Sequence, residues 1–267
     1  MSGNPSTVKS DDAQISYWTI GDGPPVVLLH PFPVNHEFWL PVAATLSLRY
    51  KLILPDMRGH GDSDVGEGPA TMDKHATDLT RVMNDADIGR APLVGVSIGG
   101  YALFEFWARY RGRVAGLGLF NTKAPADNDE VRAGRLKAAS DVLERGTEPF
   151  LESMIPRVLG QRTRETRPDL VDGALRMMRK MSPQDVAQVQ AGMAQRRDYV
   201  DAMKTINVPT LIVTGEQDTL TGINEAELLR QHINGSRLQV IPKAGHYSPW
   251  EQPDEAAKLL RQFLDAL

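Results

Sequence analysis

The chain of 267 residues carries 30 lysines and arginines against 34 aspartates and glutamates, and its net charge of −4 argues against nucleic acid or an anionic membrane as a partner. It contains no cysteine, which excludes disulfides, thiolate nucleophiles and cysteine-based zinc sites. Hydrophobic residues make up 41% and charged residues 24%, the balance of an ordinary globular chain long enough to bury a sizeable core.

The opening MSGNPSTVKSDD is polar and lacks the apolar stretch of a signal peptide. No apolar run approaches membrane-spanning length, so the expected location is the cytoplasm. AQISYWTI (13–20) alternates like a strand and GDGPP (21–25) reads as a turn. VVLLH (26–30) is a continuous apolar run, suited to a strand buried on both faces. HEFWLPVAATL (36–46) reads as a helix with Pro41 in a first turn, and YKLILPD (50–56) as another buried strand. A glycine-rich loop (58–69) leads to a helix over 71–88, with Thr71 or Asp73 near its cap. APLVGVS (91–97) is a strand, IGGYALFEFWARY (98–110) a helix and VAGLGLFN (114–121) a strand.

Strand and helix thus alternate from 26 to 121, the pattern of an α/β fold with a parallel sheet and helices on both faces. The rhythm resumes with strands at 209–215 and 236–242 and helices at 224–233 and 253–266. Between them, 123–204 has no convincing strand; its helical segments are punctuated at Gly146, Gly160, Pro168 and Pro183. This reads as a helical insertion. Met154, Met177, Met178, Met181, Met193 and Met203 lie in it, either packing it against itself or forming an adaptable apolar ceiling over a pocket.

The stretch GVSIGG (95–100) stands at the junction of a strand and a helix and matches G-x-S-x-G. A sharp turn there strains the backbone and projects Ser97 from the carboxyl end of the sheet, near a helix N-terminus. A serine hydroxyl is a weak nucleophile and needs a base, and the base needs an orienting acid. Of six histidines, His246 in AGHYSPWEQP follows the last strand and reaches the same sheet edge. Asp218 in TGEQDTLT follows the strand 209–215. Glu216 is the nearest rival acid and reads as a turn residue; Asn121 stands at another strand end, but an amide stabilises an imidazolium less well. Backbone donors for an oxyanion are expected from Ile98 and from Phe32, whose amide lies between the N–H-less Pro31 and Pro33. Phe32, Ile98 and Tyr247 are expected to line an apolar pocket, and His30 to orient the loop. DMRGHGDS (56–63) has neither Walker nor EF-hand spacing and reads as a tight structural turn; His36, His60, His75 and His232 form no ligand-like pair. The arginines of 157–169 read as a solvated face or loop.

HPFP (30–33), DMRGHGDS, GVSIGG, TGEQDTLT and AGHYSPWEQP resemble, in order and spacing, the α/β-hydrolase fold family, over nearly the whole chain from residue 13. Within it the chain is most similar to the 3-oxoadipate enol-lactonase and carboxylesterase group, to which TKAPADNDEVRAGRL (122–136) is also similar. The resemblance implies a core of 1–122 and 205–267, with the insertion 123–204 as a helical cap. It also implies a Ser97–Asp218–His246 triad and hydrolysis of a small-molecule ester or lactone through an acyl-enzyme, without cofactor or metal. Pro31 departs from the usual His-Gly dipeptide of the oxyanion loop. Ser97 sets the chain apart from the haloalkane dehalogenases and epoxide hydrolases of this fold, which carry aspartate at that turn. Other readings of the same framework are perhydrolysis, carbon–carbon bond hydrolysis, and a ligand-binding signalling receptor that retains the triad.

Overall fold

The computed structural model describes residues 4–267. Its strands are β1 (Asn4–Ser10), β2 (Ala13–Ile20), β3 (Pro25–Leu29), β4 (Lys51–Pro55), β5 (Ala91–Val96), β6 (Val114–Phe120), β7 (Thr210–Gly215) and β8 (Arg237–Ile241). They form one sheet in the order β1-β2-β4-β3-β5-β6-β7-β8. From β4 to β8 neighbouring strands pair in parallel, while β1 and β2 add an antiparallel edge. The central strands are buried on both faces, which is why they appear in the sequence as unbroken apolar runs.

After β3 the chain crosses to β4 on one side, then returns to β5 on the other side of β3. The loops leaving β3 and β5 therefore diverge, and the crevice between them is where ligands bind in sheets of this kind. Ser97 follows β5 and Phe32 follows β3, so the topology alone brings both to that crevice.

Around the sheet lie α1 (Leu40–Leu46), preceded by a short 3-10 turn at His36–Trp39, then α2 (Met72–Asp85) and α3 (Ile98–Tyr110). Pro41 occupies the first turn of α1, where its missing N–H costs nothing. Helix α2 buries Met72, His75, Ala76, Leu79, Val82 and Met83, an i, i+3, i+4, i+7 stripe. It stops before the expected residue 88 because Asp87 takes a positive φ of 57° and turns the chain. Helix α3 is buried at every position from Ile98 to Trp107, in keeping with its apolar sequence on all sides.

Between β6 and β7 stand α4 (Asp129–Arg145), α5 (Glu148–Val158), α6 (Gln161–Thr166), α7 (Pro168–Met178), α8 (Pro183–Ala194) and α9 (Val200–Met203). The two ends of this segment are tied together. Tyr199 N–H donates to Ala124 O (3.1 Å), Arg196 donates to the carbonyls of Ala124 and Pro125, and Ala126 N–H donates to Asp198 Oδ2 (3.0 Å). Then come α10 (Ile223–His232), α11 (Ser248–Glu251) and α12 (Pro253–Leu264). Among the described residues no helix is long and apolar enough to cross a membrane.

The sequence reading assigned no element to the polar start, yet Asn4–Ser10 is a full edge strand in register with β2. Asp11, at φ 51°, supports the tight reversal; the strand's inward positions are Ser6, Val8 and Ser10, of which only Val8 is apolar, so the alternation carries no hydrophobic signal.

The 56–63 segment is a tight turn around buried charges. Asp56 accepts His36 N–H (2.7 Å), faces His36 Nδ1 (2.9 Å) and accepts Asp62 N–H (2.8 Å). The fully buried Arg58 donates to Asp78 (2.9 and 2.7 Å) and to Asp12 (2.6 Å).

Candidate active site

Ser97 sits at φ 54°, ψ −114°, a conformation costly for any residue with a side chain. The turn is possible because of its neighbours. A Cβ at Gly95 would stand 2.6 Å from Gly99 O, and one at Gly99 would stand 2.8 Å from Leu29 O. Glycine at both positions lets strand, helix and the β3 loop meet backbone to backbone. Ser97 N–H is held by Phe120 O (3.0 Å), and Ser97 O accepts the Thr122 hydroxyl (2.9 Å), so the turn is fixed from β6.

The loops after β7 and β8 bring Asp218 and His246 together. Asp218 Oδ2 lies 3.0 Å from His246 Nδ1, and both side chains are buried. Four other donors surround the carboxylate: Asn121 Nδ2 (2.9 Å) and the Thr221 hydroxyl (2.9 Å) on Oδ2, and the N–H groups of Leu220 (2.8 Å) and Thr221 (3.1 Å) on Oδ1. Burial alone would raise this carboxyl. The charge and hydrogen bond of His246, with Asn121 and the Leu220 N–H, outweigh it and hold Asp218 well below the usual carboxylate range. An ionised Asp218 can only accept, so the imidazole proton sits on Nδ1 and Nε2 presents a lone pair. Among the described residues, Nε2 has no protein partner, and His246 lines the same cavity as Ser97.

The other two candidates, Glu216 and Asn121, make no hydrogen bond to His246 among the described residues. Glu216 accepts Lys243 N–H (2.8 Å) and fixes the turn before His246. Asn121, at φ 44°, points its amide at Asp218 and its carbonyl at the Ser248 hydroxyl (2.5 Å). The sequence reading did not single out Thr221 or Ser248. Thr221 was legible in principle: an aspartate that closes a turn on its own downstream N–H groups places the residue three further on beside its carboxylate.

The short segment after His246 reaches in four directions. The Tyr247 hydroxyl donates to Phe32 O (2.8 Å) in the β3 loop, and Ser248 to Asn121. Trp250 Nε1 donates to Leu170 O (3.1 Å) in α7. Glu251 accepts Gly245 N–H and Gly160 N–H, each at 2.8 Å. His30, fully buried, donates from Nδ1 to Pro31 O (2.9 Å) and accepts Met57 N–H on Nε2 (2.9 Å). It thereby fixes the β3 loop as a neutral ring; burial and the nearby His60 hold its pKa at about 3.

A cavity of about 400 Å³ joins these parts. Phe32, Ser97, Tyr101, Thr219, Leu220, Thr221 and His246 line it from the sheet edge. Lys123 and residues of α4, α5 and α8 line it from the helical segment, among them Glu130, Arg135, Phe150, Met154, Arg157, Gln190 and Met193. Two of the six methionines therefore face the cavity. Arg157 is exposed, as expected of a solvated face, and it also borders the cavity, with no carboxylate within ion-pair distance among the described residues. Lys123 (3.2 Å) and Arg135 (2.6 Å) share the buried Asp127 with Arg196 (3.2 Å). Among the described residues, no three histidine, cysteine, aspartate or glutamate side chains are grouped to hold a metal ion.

A family model described as the alpha/beta hydrolase fold matches residues 24–253. The chain belongs to that family. It is 25% identical over 246 residues to 3-oxoadipate enol-lactonase 1 of Acinetobacter baylyi, covering 92% of this chain and 90% of that one. A malate-bound thermophilic esterase from Thermogutta terrifontis superposes with a TM-score of 0.95 at 33% identity, covering 98% of each chain. The enol-lactonase from Burkholderia xenovorans LB400 superposes at 0.91 with 25% identity, covering 97% of this chain and all of that one. The similarity thus lies with the enol-lactonase and esterase members of the alpha/beta hydrolases.

Within this alpha/beta hydrolase, two expected pocket residues stand elsewhere. Ile98 and Tyr247 are fully buried and do not line the cavity. Ile98 opens α3, so its side chain is packed into the core while its backbone N–H is one of the helix's unpaired first-turn donors. Tyr247 packs edge-on to Phe38 and serves the site through its hydroxyl bond to the β3 loop. Phe32 does line the cavity, and among the described residues its N–H has no protein acceptor.

Proposed function

We propose that this protein is a serine hydrolase that cleaves a carboxylic ester or lactone through an acyl-enzyme on Ser97. The observation that carries this reading is the strained Ser97 sharing one cavity with a His246 whose Nδ1 is held by an ionised Asp218. In this reading Ser97 Oγ attacks the carbonyl carbon while His246 Nε2 takes its proton. The Phe32 and Ile98 N–H groups receive the developing oxyanion. His246 returns the proton to the leaving alcohol oxygen, then deprotonates a water that releases the acid and restores Ser97. Residues 1–122 and 205–267 act as the catalytic core, and 123–204 as a cap whose underside sets specificity.

The cavity wall supports a narrower substrate class than the apolar one expected from sequence. Lys123 and Arg135, which with Arg196 put three cations on the one buried Asp127, and Arg157 together outnumber Glu130 in the lining, so an ester or lactone bearing a carboxylate away from its reacting carbonyl fits best. The names of two similar proteins point the same way, since oxoadipate and malate are both dicarboxylates.

The test is a panel of neutral p-nitrophenyl esters, their dicarboxylic half-ester counterparts and small lactones. Wild type should turn over the panel and prefer the anionic members; Ser97→Ala should lose about ten-thousand-fold or more in kcat. Retained activity in Ser97→Ala sinks the mechanism. No turnover by wild type would favour a ligand-binding role. Arg157→Ala should raise KM for the half-esters about tenfold, or roughly 1.4 kcal/mol, and leave the neutral esters unchanged; equal effects on both would remove the anion preference.

A further inference from the structure

We propose that Glu251 is a positioning residue that clamps the loop carrying His246 to the Val158–Gly160 segment of the helical insertion, so that His246 is held in register only while that segment is docked. The proposal rests on His246 being the base.

Glu251 is 3% exposed, and a buried carboxylate needs a specific reason to be there. Among the described residues it has no cation within ion-pair distance. Arg162 and Arg167 border the same polar cavity of about 210 Å³, but Arg167 is engaged with Asp169 (2.7 Å). Its partners are backbone donors instead: Gly245 N–H on Oε1 and Gly160 N–H on Oε2, both at 2.8 Å, with the Thr163 side chain beside them. One oxygen therefore holds the residue before His246, and the other holds the junction of α5 and α6.

Two further contacts run alongside. Tyr247 N–H donates to Val158 O (2.9 Å), so both neighbours of His246 are tied to 158–160. The two strips also touch backbone to backbone: a Cβ on Gly160 would stand 2.9 Å from Gly245 N, and one on Gly245 would stand 2.9 Å from Leu159 C. On its other side the loop is held by Gln217 N–H on Ala244 O (2.8 Å) and by Asp218. His246 is thus supported by the acid loop on one side and by the insertion on the other. A shift of the insertion is transmitted to the imidazole, and misplacing a reacting group by about 1 Å can cost on the order of a hundredfold in rate.

Glu251→Gln tests this directly. It keeps the shape but turns an amide NH₂ toward one of two N–H donors, so one end of the clamp must open. The expected result is a kcat lower by about ten- to a hundredfold with KM changed less than about threefold. Gly160→Ala, which wedges the same contact from the insertion side, should act in the same direction. Hydrogen exchange gives a readout independent of turnover. In Glu251→Gln, amide exchange in 158–160 and 244–247 should rise together while the central strands stay protected. Exchange that rises across the whole chain, or kcat and exchange both unchanged, would overturn the proposal. Absence of turnover in the wild type would instead sink the hydrolase reading, and the exchange result would still decide whether the clamp exists.

Discussion

Two places on the carboxyl edge of the sheet hold a buried aspartate against a histidine Nδ1: Asp56 with His36 after β4 (2.9 Å), and Asp218 with His246 after β7 (3.0 Å). As pairs they are nearly the same object, and burial opposes the charge of both carboxylates while neighbours hold both below their ordinary values. Their surroundings separate them. The His36 ring stacks on Trp18, with centroids 3.4 Å apart, and Asp56 also binds the backbone of His36 and Asp62. That pair closes a turn. His246 lines a cavity with Ser97, and its Asp218 is steadied by Thr221 from its own loop and by Asn121 from the loop after β6. An aspartate–histidine pair becomes chemistry only where the far nitrogen shares open space with a nucleophile.

The sharpest way to break this comparison is to neutralise each aspartate in turn. Asp218→Asn keeps the shape but removes the charge that fixes the imidazole tautomer, and kcat should fall by about ten-thousand-fold. Asp56→Asn should leave kcat within a few-fold of wild type while costing about 2 kcal/mol of stability, the scale of a charged hydrogen bond lost in the interior. Denaturant unfolding and steady-state kinetics on the same preparations separate the two effects. A folded Asp56→Asn protein without activity would show that the first pair also belongs to the site.

Much of this contrast was legible in the sequence, and what was not has physical reasons. The buried strands declare themselves because parallel ladders bury both faces, and G-x-S-x-G declares itself because a strained turn demands glycine around it. Asp218 and His246 could be placed at one edge because both follow strands of a parallel sheet. Asn4–Ser10 was missed because its inward face is Ser6, Val8 and Ser10, which leaves no apolar alternation to read. Ile98 and Tyr247 were expected in the pocket because neighbours of catalytic positions are assumed to face it, whereas a helix start and a turn point their side chains by their own geometry. Arg157 is exposed as the sequence suggests, but helix periodicity does not tell that its solvated face also borders the cavity. Glu251 and Ser248 act through contacts between loops distant in sequence, which no local pattern encodes.

A smaller effect sharpens the comparison through pH. The first region contains His30 and His60, both fully buried and neutral, with pKa values held down by burial to about 3 and about 4. Below the ordinary histidine value near 6.5, the unfolded chain takes up protons that these folded rings refuse. Their contribution to stability is therefore complete above about pH 6.5 and is lost progressively as pH falls toward 4. The depressed carboxylates Asp56 and Asp218 act in a lower window: their contribution holds above about pH 4 and is lost beneath it. Glu251 and Asp78, raised by burial, have the opposite sign, so acidification through the range just above their ordinary values adds stability. Comparing wild type with His60→Asn cancels all carboxylate terms. The asparagine can still donate to the Met57 and Arg58 carbonyls that the His60 ring faces, and it removes the unpaired Nε2. The melting temperature of His60→Asn should fall less steeply than that of wild type as pH falls from about 6.5 through 4, and the two curves should become parallel only well below about pH 4. Parallel curves throughout would mean that His60 takes up its proton in the folded state, against the burial of its ring.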